Sequence, residues 1–164
     1  MHIRNPYRLL TVALATLLPL SVTASESKSV DPDLAAITGQ LDRYEQALNS
    51  SDIDTVMKLY AKDAVFMPQH SLPAEGYDAV RTAYRHVFDA IHLNIDFTID
   101  EIAVLSPDWA FARTRSNGTV KVLASDQSPA PEANQELFLL HREPDGQWRF
   151  ARYIFSTTNP PTLP

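Results

Sequence analysis

The spacing of apolar positions changes partway along the chain. Leu34, Ile37, Leu41, Tyr44 and Leu48 recur at alternating steps of three and four, which draws one apolar stripe down a helix. Asp31 supplies the cap and Pro32 suits the first helical position, where a missing N–H removes no hydrogen bond. Asn49, Ser50 and Ser51 end that helix, and Asp52 caps a shorter one over "IDTVMKLYAKD", with Val56, Leu59 and Tyr60 inward. "AVFM" is a short strand stopped by Pro68. A third helix, "GYDAVRTAYRHVFDAIHL", turns Val80, Ala83, Tyr84, Val87, Phe88 and Ile91 inward.

Downstream the period becomes two. "NIDFTIDEIAVL" alternates Ile95, Phe97 and Ile99, with an irregularity expected near Glu101. "DWAFARTRSNGTVKVLA" is a long strand, broken or bulged near Gly118. "QELFLLHRE" and "QWRFARYIFST" are the last strands; "SDQSPAPEAN" and "PDG" are loop and turn. Helices followed by strands predict an α+β fold: a cone-shaped, curved, antiparallel or mixed sheet with three N-terminal helices on its concave side. A cone has a hollow, and a hollow is where a ligand would sit.

Composition adds the setting. In 164 residues there is no cysteine, so no disulfide can form. Arg4 and Arg8, an apolar run from Leu9 to Val22 and the small residues Val22-Thr23-Ala24 have the layout of a secretory signal peptide over 1–24. The expected order is that leader, a flexible tether over 25–33, a domain over 34–157 and a loose tail over 158–164. Removing Arg4 and Arg8 from the 14 basic residues leaves 12 against 20 acidic ones, a net charge of −8. Such an acidic chain without a basic run is unsuited to nucleic acid or, once the leader is cleaved, to an anionic membrane. The chain is therefore expected to be exported, periplasmic or secreted.

The long central strand carries the sharpest physical clue. Trp109, Phe111, Arg113 and Arg115 share one face, and Ala110, Ala112, Thr114 and Ser116 share the other. If the aromatic face lines the hollow, both arginines enter it and must bind an anion or pair, with Glu136 the available partner. A ligand carboxylate forked by Arg113 or Arg115 is one expectation. An ion pair with Glu136, or a small-residue face turned inward, are the alternatives. Tyr153 and Phe155 share a face and are placed on the far wall. His86 and His92 fit no usual ligand spacing, and no Gly-rich phosphate loop occurs, so neither metal nor other cofactor is expected.

"QALNSSDIDTVMKLYAKDAVF", the "P...G" leading into "YDAVRTAY", and "ELFLLHREPDGQWRFARYIFS" resemble the SnoaL-like group of the nuclear-transport-factor-two-like superfamily. The resemblance spans roughly 34–157 and implies the cone fold, a small-molecule ligand and a homodimer built on the open sheet face. By similarity to ketosteroid isomerases within the superfamily, Tyr44 stands at an oxyanion-binding position, supported by Tyr60 and Tyr84. The general-base position of those enzymes, just before the proline ending the short strand, is Met67 here, and a thioether cannot take a proton. The nearest titratable side chain is His70, which gives it the proton-moving role. The expectation is a cofactor-independent acid/base enzyme of isomerase, cyclase or lyase type, acting on a small, partly apolar and anionic ligand. Tyr60, Met67, Tyr84, Arg113, Arg115, Glu136, Tyr153 and Phe155 would contact that ligand. A non-catalytic assembly module with a filled cavity is the alternative.

Overall fold

A computed structural model describes residues 31–161; the expected leader over 1–24 and the stretches 25–30 and 162–164 lie outside them. Three helices, α1 (Pro32–Asn49), α2 (Ile53–Leu59) and α3 (Tyr77–Ala90), pack with six strands. The strands are β1 (Tyr60–Met67), β2 (Ala74–Glu75), β3 (Ile91–Val104), β4 (Trp109–Val122), β5 (Ala130–Arg142) and β6 (Trp148–Thr157). They form one mixed sheet in the order β2-β1-β6-β5-β4-β3, with β1 parallel to β6 and every other pair antiparallel. This is the α+β cone that the change of period predicts.

Local chemistry sets the helix starts. Asp31 accepts a hydrogen bond from Asp33 N at 2.9 Å, with Pro32 in the first turn, so the helix begins inside the span expected to be tether. Asp52 caps α2 by accepting from Thr55 N at 3.0 Å. The second helix ends earlier than its sequence suggests. From Tyr60 the chain is strand, because pairing with β6 satisfies its backbone where "YAKD" alone would tolerate another helical turn. The start of the expected loose tail is also tied down: Thr158 N donates to Ala133 O at 2.9 Å, and Asn159 Nδ2 to Pro131 O at 3.1 Å.

Two positions in β3 and β4 carry irregularity signals in the sequence, and the structure treats them differently. A register shift between Ile99 and Glu101 is the irregularity expected in β3. Gly118 produces no break: β4 runs through it in register with Ile95. The glycine is needed for closeness instead, since a Cβ there would collide with the Asn94 carbonyl oxygen and Ile95 Cα. Nearby, α1 is pinned onto β3. Asn49 Nδ2 donates to Ile95 O at 2.7 Å, Ile95 N donates to Asn49 Oδ1 at 2.8 Å, and Phe97 N donates to Glu45 Oε2 at 2.6 Å. These bonds satisfy backbone groups of an edge strand that would otherwise have no partner.

The core lies between the helices and the concave face. Ile37, Leu41, Tyr44, Val56, Val80 and Tyr84 of the helices meet Ala110, Ala112, Phe138, Leu140 and Phe150 of the sheet, all essentially inaccessible to water. Tyr44 is the hub: its ring centroid lies 5.3 to 6.3 Å from those of Tyr84, Phe97, Phe138, Phe150 and Tyr153. Edge-on contacts dominate these pairs, the geometry that the ring quadrupole favours.

Candidate functional site

The concave side is not completely filled. A cavity of about 130 Å³ remains, and Tyr44, Phe66, Tyr84, Phe97, Tyr153 and Phe155 form its aromatic wall. Leu48, Val87, Leu93 and Ile95 add aliphatic surface, while Ser116, Glu132, Asn134 and Glu136 bring polar groups from β4 and β5. Each element presents these side chains through its own period: Tyr44 and Leu48 are one turn apart on α1, and Asn134 and Glu136 are two apart on β5.

Two polar constellations meet the cavity. In the first, the hydroxyls of Tyr44 and Tyr60 both bond to the Tyr84 hydroxyl, the latter at 2.7 Å. Burial pushes the phenols of Tyr44, Tyr60 and Tyr84 above their ordinary pKa, so they are neutral hydroxyls over the physiological range. Tyr44 and Tyr84 line the cavity; Tyr60 supports them from behind. Burial also raises Tyr153, and the nearby Glu136 carboxyl raises it further.

The second constellation is the Glu136 carboxyl. It is 4 % exposed and accepts hydrogen bonds from Thr114 Oγ1 and, at 2.6 Å, from Ser116 Oγ. Thr114 lies directly across from it in the β4–β5 register. Burial pushes this carboxyl up from its ordinary pKa, and the two hydroxyls partly oppose the shift. A buried carboxyl with a raised pKa, next to an apolar cavity, is the kind of group that takes part in proton transfer.

Several expected site residues lie elsewhere. Arg113 and Arg115 are on the outer, solvated face of the sheet. Arg113 pairs with Asp100 at 3.0 Å and Glu101 at 3.5 Å, and Arg115 pairs with Asp100 at 2.8 Å. Arg115, and then Arg113, hold the Asp100 carboxyl below its usual range. Neither arginine contacts Glu136, so both the anion clamp and the Glu136 ion pair are corrected: the small-residue face is the inward one. Ala110 and Ala112 must be small because they lie beneath the aromatic cluster around Tyr44 and Phe138, whose rings already occupy the available volume.

Met67 also faces outward, into a groove it shares with Phe111, Leu137 and Ile154. His70 does not reach the cavity wall; it is exposed in the loop after β1, at a left-handed φ of 60°. Tyr153 and Phe155 do line the cavity, as their shared face suggests. Sequence reasoning missed Asn134 and Ser116. For Ser116 the available signal was the alternation of small and polar residues along β4, which the bulk of Trp109 and Phe111 obscured; Asn134 fell in the expected loop "SDQSPAPEAN", whereas β5 already begins at Ala130.

The fold agrees with known proteins. Residues 41–159 match the SnoaL-like domain family, and the chain belongs to it. Among solved structures, a ketosteroid isomerase-like protein from Erwinia carotovora atroseptica is 34% identical. The match covers 80% of this chain and 100% of that one, with a TM-score of 0.76. A protein from Novosphingobium aromaticivorans described as a candidate scytalone dehydratase is 18% identical over 77% of this chain and 85% of its own, with a TM-score of 0.68. A protein from Thiobacillus denitrificans described as a candidate calcium/calmodulin-dependent protein kinase type II association domain is 16% identical over 74% and 94%, with a TM-score of 0.61. The last two share the fold alone. No curated protein matches the chain. Membership in this family suggests small-molecule binding. Among the described residues no helix is long and apolar enough to cross a membrane.

Proposed function

We propose that this domain binds a small molecule in the cavity and acts on it by isomerase- or dehydratase-type acid/base chemistry carried by its own side chains. One observation supports this above the others: the Glu136 carboxyl is buried on the wall of an apolar cavity that also presents phenol hydroxyls. Glu136 thereby takes the proton-moving role expected of His70. Ionised, it removes a proton from carbon next to a ligand carbonyl, and the electron pair moves onto the carbonyl oxygen. Three phenol hydroxyls joined by two hydrogen bonds have one proton to spare. When Tyr60 donates to Tyr84 and Tyr84 to Tyr44, that proton remains on Tyr44, which donates it to the developing oxyanion. Return of the abstracted proton to another carbon completes an isomerisation; loss of a β-hydroxyl as water completes a dehydration.

The test uses a generic carbonyl probe. In D2O, the wild-type protein should speed deuterium incorporation at the α-carbons of cyclopentanone, followed by NMR, and Glu136→Gln should return it to the buffer rate. A wild-type rate equal to buffer would remove the acid/base reading. The filled assembly module is the weaker alternative, since an open cavity lies where its core would be.

Export to the periplasm or beyond is part of the same reading and rests on the leader-like segment at 1–24. So is a homodimer, supported by the outer sheet groove in which Leu137 and Ile154 are each 45% exposed and Leu105 60%. Sedimentation should show a dimer that Leu137→Glu with Ile154→Glu converts to monomer.

A further inference from the structure

Asn134 faces Ser116 across the β4–β5 ladder, lines the cavity and is 8% exposed. Its Nδ2 donates to Glu132 Oε1 at 2.9 Å and to Ser116 Oγ at 3.4 Å. The Ser116 hydroxyl is already committed as donor to Glu136, so toward Asn134 it can only accept. A carboxylate at Glu132 can likewise only accept. Both neighbours therefore require the nitrogen end of the Asn134 amide, and its orientation is fixed. Among the described residues the oxygen end, Oδ1, is left buried without a hydrogen-bond partner, a state that native proteins rarely leave uncompensated.

The remaining features of the cavity limit what could supply that missing donor. Its volume of about 130 Å³ is close to the ~150 Å³ that accommodates a benzene ring in an engineered apolar cavity. Its wall carries two carboxyls, Glu132 and Glu136, and among the described residues no lysine, arginine or histidine lines it. An anion entering would lose its hydration and find no cation to replace it.

We infer that the cavity selects a small, uncharged, ring-sized molecule bearing a hydroxyl group, which donates its proton to Asn134 Oδ1, and that it rejects carboxylates of the same size. This deepens the proposed function and rests on its assignment of the cavity as the ligand site. The orphan acceptor, the apolar walls and the lack of any cation on them all favour the same ligand class. Selectivity then comes from leaving Asn134 unpaired when the wrong molecule binds, a stronger discriminator than shape alone.

Phenol, anisole and benzoate test this on the full-length folded protein, by NMR titration and by thermal denaturation. Phenol should saturate. Anisole, which keeps the ring but has no donor, should bind about tenfold more weakly, the loss expected for one hydrogen bond. Benzoate should not bind. Asn134→Ala should lower phenol affinity to that of anisole while leaving anisole unchanged. Because the three-ligand comparison needs only wild-type protein, a variant that misfolds does not weaken it. Anisole binding as tightly as phenol, binding of benzoate, or saturation by none of the three would overturn the inference. Deuterium exchange separates this from the functional reading. Phenol preference without exchange removes the acid/base chemistry alone, and exchange without phenol preference removes the selectivity alone.

Discussion

The two faces of β4 solve the problem of charge in opposite ways. On the outer face, Arg113 and Arg115 reach Asp100 and Glu101 in contact with water, where the ions remain hydrated as well as paired. On the inner face, among the described residues, no cation pairs with the Glu136 carboxyl; Thr114 and Ser116 hydroxyls solvate it instead. The outer arrangement is replaceable by water. The inner one is not, because a buried acceptor that loses its donors has no solvent to turn to. Side-chain size follows the same division. Trp109 and Phe111 have room outside, whereas Ala110 and Ala112 lie under rings contributed by α1, β5 and β6.

This contrast can be broken most forcefully from the inner side. Phe138, fully buried against Tyr44, Phe150 and Tyr153, should cost about 3–5 kcal/mol on Phe138→Ala, read from urea denaturation. A smaller and pH-dependent effect is expected at Glu136. Its native pKa is raised, so the stability this residue contributes is fully present below the ordinary carboxyl range and is lost as pH rises through the raised native value. The wild-type urea midpoint should therefore fall relative to Glu136→Gln as pH increases; a difference independent of pH would show that the carboxyl titrates alike folded and unfolded. The outer face should give the smallest response. Arg115→Ala should leave the denaturation midpoint at the wild-type value, and a loss comparable to Phe138→Ala would erase the distinction between the faces.

The fold was legible because it depends on patterns that survive without coordinates. Steps of three and four located α1 and α3, the period of two located β3 to β6, and Asp31, Pro32 and Asp52 marked two helix starts. The ends of α2 and α3 were less legible, since only pairing with β6 makes Tyr60 extended and only pairing with β4 makes Ile91 to Leu93 strand rather than helix. The candidate site was legible in half. Tyr44, Tyr84, Tyr153, Phe155 and Glu136 do line the cavity, but Tyr60, Arg113, Arg115, Met67 and His70 do not. Alternation sorts β4 into two faces yet carries no sign to say which is concave, and a choice based on aromatic bulk turns the whole set around.

The sequence by itself determined the order of the helices and longer strands, the irregularity near Glu101, and the sorting of side chains into faces. These follow from local backbone sterics and from the periods of helix and strand. Only the tertiary structure decided which face of β4 looks inward, that Thr114 and Ser116 serve a carboxyl twenty or so residues away, and that Asn134 keeps a buried oxygen without a partner. Those outcomes depend on how much volume the helices leave above the sheet and on which strands become neighbours, and neither quantity is a property of any one segment.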